Sequence, residues 1–173
     1  MTGLRSGRKV MTPLQEQEIL RLVGQAKSLY NRLVLVVGPC GSGKTTVLNR
    51  LAEAKGWPFV KLNLELARML LELTERQRPL QAQKLLNNLL DAITGEVLVL
   101  DNTEILFDTS LKLDPLRLLQ SLSRDRTLVV GWNGSLREGQ ITFSLPDHPE
   151  FKRYPAPELL LVELGQPDAC EDF

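Results

Sequence analysis

Residues 33–45 read LVLVVGPCGSGKT. Five consecutive apolar residues, Leu33 to Val37, predict a strand buried on both faces, because a strand with one wet face would alternate apolar with polar. That strand runs directly into Gly38-Pro39-Cys40-Gly41-Ser42-Gly43-Lys44-Thr45, which has the spacing G-x-x-x-x-G-K-[ST] of a phosphate-binding P-loop. A polyphosphate must be surrounded by donors without being crowded by side chains. Gly38, Gly41 and Gly43 let the backbone curl so that successive N–H groups face the phosphate oxygens. The helix expected to open at about Gly43 adds the positive end of its dipole. Lys44 is expected to reach the β and γ phosphates, and the Thr45 hydroxyl to join an Mg²⁺ shell. The nucleotide-binding set read from this stretch is Gly38, Pro39, Cys40, Gly41, Ser42, Gly43, Lys44, Thr45 and Thr46.

The rest of the chain bounds what can surround such a loop. With 173 residues, 43% hydrophobic and 24% charged, it has the composition of one globular domain with a full core. Lys plus Arg equals Asp plus Glu, 21 each, so no global field favours nucleic acid or a membrane as partner. Two cysteines, Cys40 and Cys170, form no disulfide framework, and no run approaches the length of a membrane span or a signal peptide. A cytoplasmic protein is the expectation.

Taken in order, residues 1–11 read as a polar, basic, disordered leader, residues 12–165 as the domain, and residues 166–173 as a loose acidic tail. Thr12-Pro13-Leu14-Gln15 carries helix-start signals, and Ile19, Leu22, Val23, Ala26, Leu29 and Tyr30 follow at helical spacing. This predicts an amphipathic helix over 13–31 beside the first strand. A second helix after the P-loop is stopped by Gly56, and Pro58 to Leu62 reads as a short strand. The leucine-rich stretch that follows predicts helices over 64–74 and 79–93. Their leucines read as core, since no heptad is sustained.

Glu96 to Leu100 predicts the third strand, which delivers Asp101 at its carboxyl end. A carboxylate so placed is held rigidly and can complete the Mg²⁺ shell with Thr45. Asn102 follows, and an amide cannot take a proton from an attacking water, so Glu104, three residues past Asp101, is either a base that swings in or a surface loop carboxylate, and hydrolysis is less securely read than binding. Asp114-Pro115 starts a further helix. Thr127 to Val130 predicts the fourth strand, with Gly131-Trp132-Asn133-Gly134 after it. Asn133 is then either a sensor of the γ-phosphate or half of an Asn-Gly turn. Gln140 to Leu145 alternates like a strand, Pro146 to Pro157 reads as a connector holding the single His148, and Glu158 to Leu164 reads as the last buried strand.

Strands alternating with helices predict an α/β fold of three layers, a parallel sheet between helices, preceded by the amphipathic helix. From Leu33 to Leu164 the chain resembles the additional-strand division of P-loop NTPases, which implies the strand order 5-1-4-3-2 and a nucleotide at the carboxyl ends of the strands. The runs VVGPCGSGKTTVLNRLA, VLVLDNTEILF, VVGWNG, DHPEFKRYP and ELLLVEL resemble the BrxF family, small P-loop proteins of BREX phage-resistance systems. That resemblance implies ATP and Mg²⁺ as cofactors, other BREX proteins as partners, and roles for Gly38, Gly43, Lys44, Thr45, Asp101 and Asn133. The chain departs from full AAA+ ATPases, which it otherwise resembles, because only nine residues follow the last strand, too few for a helical lid. An open site then calls for completion by a neighbouring copy, hence a homo-oligomer. Arg124, Arg126, Arg137 and Arg153 each read either as a solvated surface charge or as a finger acting in trans, Arg153 being the first choice for the latter. DNA contact is expected only within an assembly that aligns patches such as Arg76 and Arg78. The leading reading is a weak ATPase or nucleotide switch with Lys44, Asp101, Glu104, Asn133 and Arg153 as its catalytic set. A nucleotide-stabilised scaffold that does not hydrolyse, and a small-molecule kinase, are the other readings.

Overall fold

The structure is a computed structural model and describes residues 13–39, 41–143, 152–155 and 159–164. The leader, Thr12, Cys40, His148, Cys170 and the tail lie outside the described residues. The apolar run that enters the P-loop is β1 (Leu33–Gly38), buried along its whole length. Helix α1 (Pro13–Ala26) precedes it, and α2 (Lys44–Lys55) follows the loop and ends on Gly56, whose φ of 67° gives a left-handed cap. Then come β2 (Phe59–Lys61), α3 (Leu62–Leu70), α4 (Arg78–Asp91) and β3 (Val97–Asp101). Two 3₁₀ turns, Thr103–Phe107 and Thr109–Leu111, lead to α5 (Pro115–Leu122). The chain continues through β4 (Thr127–Arg137), β5 (Gln140–Phe143), β6 (Lys152–Pro155) and β7 (Leu160–Glu163).

The central sheet runs β2-β3-β4-β1-β7 with every pair parallel, which is the expected order read from its other edge. The period-two alternation of a strand divides β1 between two cores. Leu33, Leu35 and Val37 face α3, α4 and α5, while Val34 and Val36 face α1 and α2. Both sets are buried, so the unbroken apolar run records a sheet sandwiched between two helical layers. Each such leucine or valine contributes about 1.5–3 kcal/mol by leaving water.

Helices α3 and α4 are shifted and shortened from the expected 64–74 and 79–93, and three other elements differ from the sequence expectation for a local reason. Helix α1 stops at Ala26 instead of residue 31. Its last turn tightens, with the N–H groups of Ser28 and Leu29 donating to the Gln25 and Ala26 carbonyls at 3.3 and 3.0 Å, and Leu29 and Tyr30 are exposed where the chain reverses into β1. Asn133-Gly134 is not a turn, because β4 continues through it to Arg137. Gly134 is needed for close approach to β5: a Cβ there would lie 1.6 Å from the Thr142 carbonyl oxygen. The reversal comes at Glu138 and Gly139, with φ of 51° and 72°, a two-residue hairpin loop between the paired Arg137 and Gln140. The segment expected as a connector contains β6, which pairs antiparallel with β5.

The hairpin loop generates a stability prediction. Glu138 holds a left-handed conformation that costs an ordinary L residue about 1–2 kcal/mol and that asparagine tolerates better. Glu138→Asn is expected to raise the melting temperature by about 2–4 °C, measured by thermal unfolding followed by circular dichroism.

Candidate functional site

The loop is shaped by its glycines. A Cβ at Gly38 would come within 2.5 Å of the Ser42 hydroxyl oxygen, and Gly41 and Gly43 have φ of 82° and 92°, where side chains are strained. Gly43 occupies the cap position of α2, so Thr45 and Thr46 fall in its first turn, exposed. Lys44 is only 7% exposed. A buried ammonium is costly unless its protons are met, and Nζ donates to the carbonyls of Gly38 and Pro39, both at 2.7 Å, and to Ser42 Oγ at 3.3 Å. The loop therefore holds its own cation on the carbonyls of Gly38 and Pro39.

Asp101 ends β3 at 3% exposure and accepts a hydrogen bond from Thr45 Oγ1 at 2.7 Å. Room for the carboxylate comes from β4: a Cβ on Gly131 would meet Asp101 Oδ1 at 2.9 Å and Leu48 Cδ1 at 3.1 Å. Gly131 is thus part of the site, although sequence reasoning passed over it. Its signal was a glycine inside an otherwise apolar buried strand, which marks a close approach. A hydroxyl and a carboxylate oxygen at hydrogen-bond separation fit two positions of a magnesium shell. Among the described residues no group of three or more His, Cys, Asp and Glu is arranged to hold a metal. A magnesium ion here would therefore draw its remaining ligands from phosphates and water, its usual habit at nucleotide sites.

The chain leaves β3 through Asn102, whose φ of 54° is left-handed. Thr103, 2% exposed, then donates its hydroxyl to the Gly131 carbonyl at 2.7 Å. Glu104 follows on the 3₁₀ turn, and its Oε1 accepts a short hydrogen bond from Asn133 Nδ2. Asn133 pairs with Gly38 in the β1–β4 register, so the Glu104–Asn133 pair stands at the strand end beside the first glycine of the loop. Trp132, one residue earlier, points into the opposite core. Its ring meets Phe107 edge-on at 4.9 Å and Tyr154 at 5.9 Å, and its indole N–H donates to the Thr142 carbonyl at 3.0 Å. Phe107 closes the 3₁₀ turn that carries Glu104, so this aromatic cluster ties that turn to β4.

The arginines lie elsewhere. Arg153 is exposed on β6 in the cross-strand row Ser135–Thr142–Arg153, on the same face as Asn133, with β5 between and hence about 10 Å from β4. Arg124 lies over the Tyr30 ring at 5.2 Å and Arg126 donates to the Ile93 carbonyl at 2.7 Å, both at the amino end of the strands, away from the loop. Arg137 ends β4 at the hairpin, exposed. Next to Arg153, Tyr154 donates to Asp114 Oδ1 at 3.2 Å. Burial first, and then the Asp114 charge, hold its phenol above the usual tyrosine range, so it stays a donor and fastens the hairpin to the start of α5.

A model of the AAA domain matches residues 33–126, more than half of the 173-residue chain, from β1 through Asp101 and Glu104 to the eve of β4. No curated protein matches the chain. Among solved structures, PCH-2 of C. elegans is 16% identical over 91% of this chain and 44% of that one, with a TM-score of 0.49. AMPPCP-bound DnaA from Aquifex aeolicus is 14% identical over 88% of this chain and 46% of that one, again with a TM-score of 0.49. The chain thus spans less than half the length of either.

The crowding at Gly131 can be tested directly. Gly131→Ala is expected to push the Asp101 carboxylate aside, so that the magnesium concentration needed for tight ATP binding rises about tenfold. Nucleotide binding without magnesium should change far less, as read by titration calorimetry at graded magnesium.

Proposed function

The chain belongs to the AAA domain family, and from that premise we propose that it is a Mg-dependent ATP-binding protein that hydrolyses ATP slowly. The observation that carries the reading is the hydrogen bond from Thr45 to Asp101, because it couples the phosphate loop to the one carboxylate that is buried among the described residues. Successive loop amides and Lys44 Nζ would take the β and γ phosphates, the ammonium exchanging the Gly38 and Pro39 carbonyls for phosphate oxygens. Thr45 and Asp101 would hold magnesium, which supplies charge neutralisation on the phosphates. Glu104 would accept the proton of the attacking water as its oxygen bonds to the γ phosphorus, with ADP as leaving group. Asn133 would orient the γ-phosphate or the water.

The proposal extends to context. The resemblance to BrxF supports a role in a BREX-type phage-resistance complex in the cytoplasm, with other BREX proteins as partners and DNA met only within the assembly. The exposure of Arg153 on β6 and its place on the same sheet face as Asn133 support a homo-oligomer in which that residue reaches a neighbour's phosphates. A second reading, a scaffold that binds ATP without hydrolysing it, is favoured by Asn102, an amide directly after Asp101.

Lys44→Ala is expected to weaken ATP affinity about a hundredfold by calorimetry with little loss of folding, the melting temperature falling by only a few degrees as the Gly38 and Pro39 carbonyls lose their donor. Affinity equal to wild type would remove the loop as the nucleotide site. Glu104→Gln should bind ATP normally and release phosphate about a hundredfold more slowly. An unchanged rate removes Glu104 as the base, and a wild-type protein that binds ATP but releases no phosphate establishes the scaffold reading.

A further inference from the structure

The β3–β4 ladder ends at the pair Leu100–Val130. Beyond it the two chains stay joined by side chains. Thr103 Oγ1 donates to the carbonyl of Gly131, the next residue of β4, and Asn133 Nδ2 donates to Glu104 two residues further on. These two bonds continue the ladder past the point where β3 has turned away. The continuation follows directly on the left-handed Asn102, which stands between the end of β3 and Thr103. Thr103 is almost wholly buried, and no motif in the sequence gives it a role.

Glu104 itself is not gripped by the core. It is half-buried, whereas Leu106 and Phe107, later in the same 3₁₀ turn, are the buried residues. Those two anchor the far end of the turn and leave its entry to be held by something else. The polar anchor at that entry, adjacent in sequence to Glu104, is the Thr103 hydroxyl.

We infer that Thr103 is a positioning residue: by fixing its hydroxyl on the Gly131 carbonyl it holds the Glu104 carboxylate at the Asn133 amide. In this way a carboxylate three residues past Asp101 takes the place that Asn102, an amide, cannot fill. The inference rests on the reading of Glu104 as the base and deepens it. Geometry at a reacting centre is unforgiving, since a displacement of about 1 Å costs about a hundredfold in rate.

The test uses the full chain with Thr103→Val, which keeps the branched shape and removes the donor, and Thr103→Ser, which keeps the donor. The Val variant is expected to lower kcat for Mg-ATP by about ten- to a hundredfold with KM for ATP unchanged, and the Ser variant to restore most of it. On a Glu104→Gln background Thr103→Val should cause no further loss. A second readout does not depend on turnover. The side-chain amide resonances of Asn133, followed by ¹⁵N NMR, should move in Thr103→Val towards their positions in Glu104→Ala, and stay in place in Thr103→Ser. Should Thr103→Val not fold, Thr103→Ala takes its place in both measurements. An unmoved Asn133 signal in the donor-less variant, or equal losses in the Val and Ser variants, overturns the inference. Absence of phosphate release from the wild type defeats instead the reading of Glu104 as base, and the Asn133 signal still decides whether Thr103 positions that carboxylate.

Discussion

The Thr45 hydroxyl and the Asp101 carboxylate lie 56 residues apart in sequence and meet at 2.7 Å. In this sheet a single strand, β4, lies between the strand before the P-loop and the strand that ends in Asp101, and it carries no side chain where the carboxylate sits. It pairs with β1 on one side and β3 on the other, and it places Gly131 against Asp101 Oδ1. The topology of the sheet and a single missing Cβ are therefore parts of one device, and the loop, the carboxylate and the strand between them stand or fall together.

The same strand organises the next tier of the site. Alternation along β4 sends Trp132 into one core and turns Gly131 and Asn133 towards the phosphate side. Packing and chemistry are thus assigned to opposite faces of three consecutive residues. The aromatic cluster of Phe107, Trp132, Phe143 and Tyr154 packs on β4 beside Asn133, and Phe107 brings the turn bearing Glu104 against it. The β4–β5–β6 hairpin, with Tyr154 bonded to Asp114 at the cap of α5, braces it from outside.

Backbone hydrogen bonding and side-chain hydrogen bonding share the work at the strand ends. Where the β3–β4 ladder stops, Thr103 and Glu104 carry it on with their side chains. Parallel strands buried on both faces are rigid, and near their carboxyl ends they present Asp101 of β3 and Gly131 and Asn133 of β4 to the loop. Glu104 comes from the turn that follows β3, and its contact with Asn133 is made from that turn.

Much of this was legible in the residues alone. The run Leu33 to Val37, apolar without alternation, specified a strand covered on both sides, and the glycine spacing after it specified the loop, because those patterns follow from local backbone geometry and from burial. Asp101 at the end of a second such run was equally local. Tertiary structure alone decided what depends on register and on neighbours distant in sequence. Asn133-Gly134 has the composition of a turn, yet it is strand, since close contact with Thr142 needs the glycine and the ladder with β5 outweighs turn propensity. The strand Lys152–Pro155 is too short and too proline-bound to announce itself, and it exists because β5 offers an edge to pair with. Glu104 reaches Asn133, and Thr103 reaches Gly131, from the turn that follows the left-handed Asn102. A sequence records what each residue prefers, whereas which distant partner it meets is set by the packing of the whole sheet.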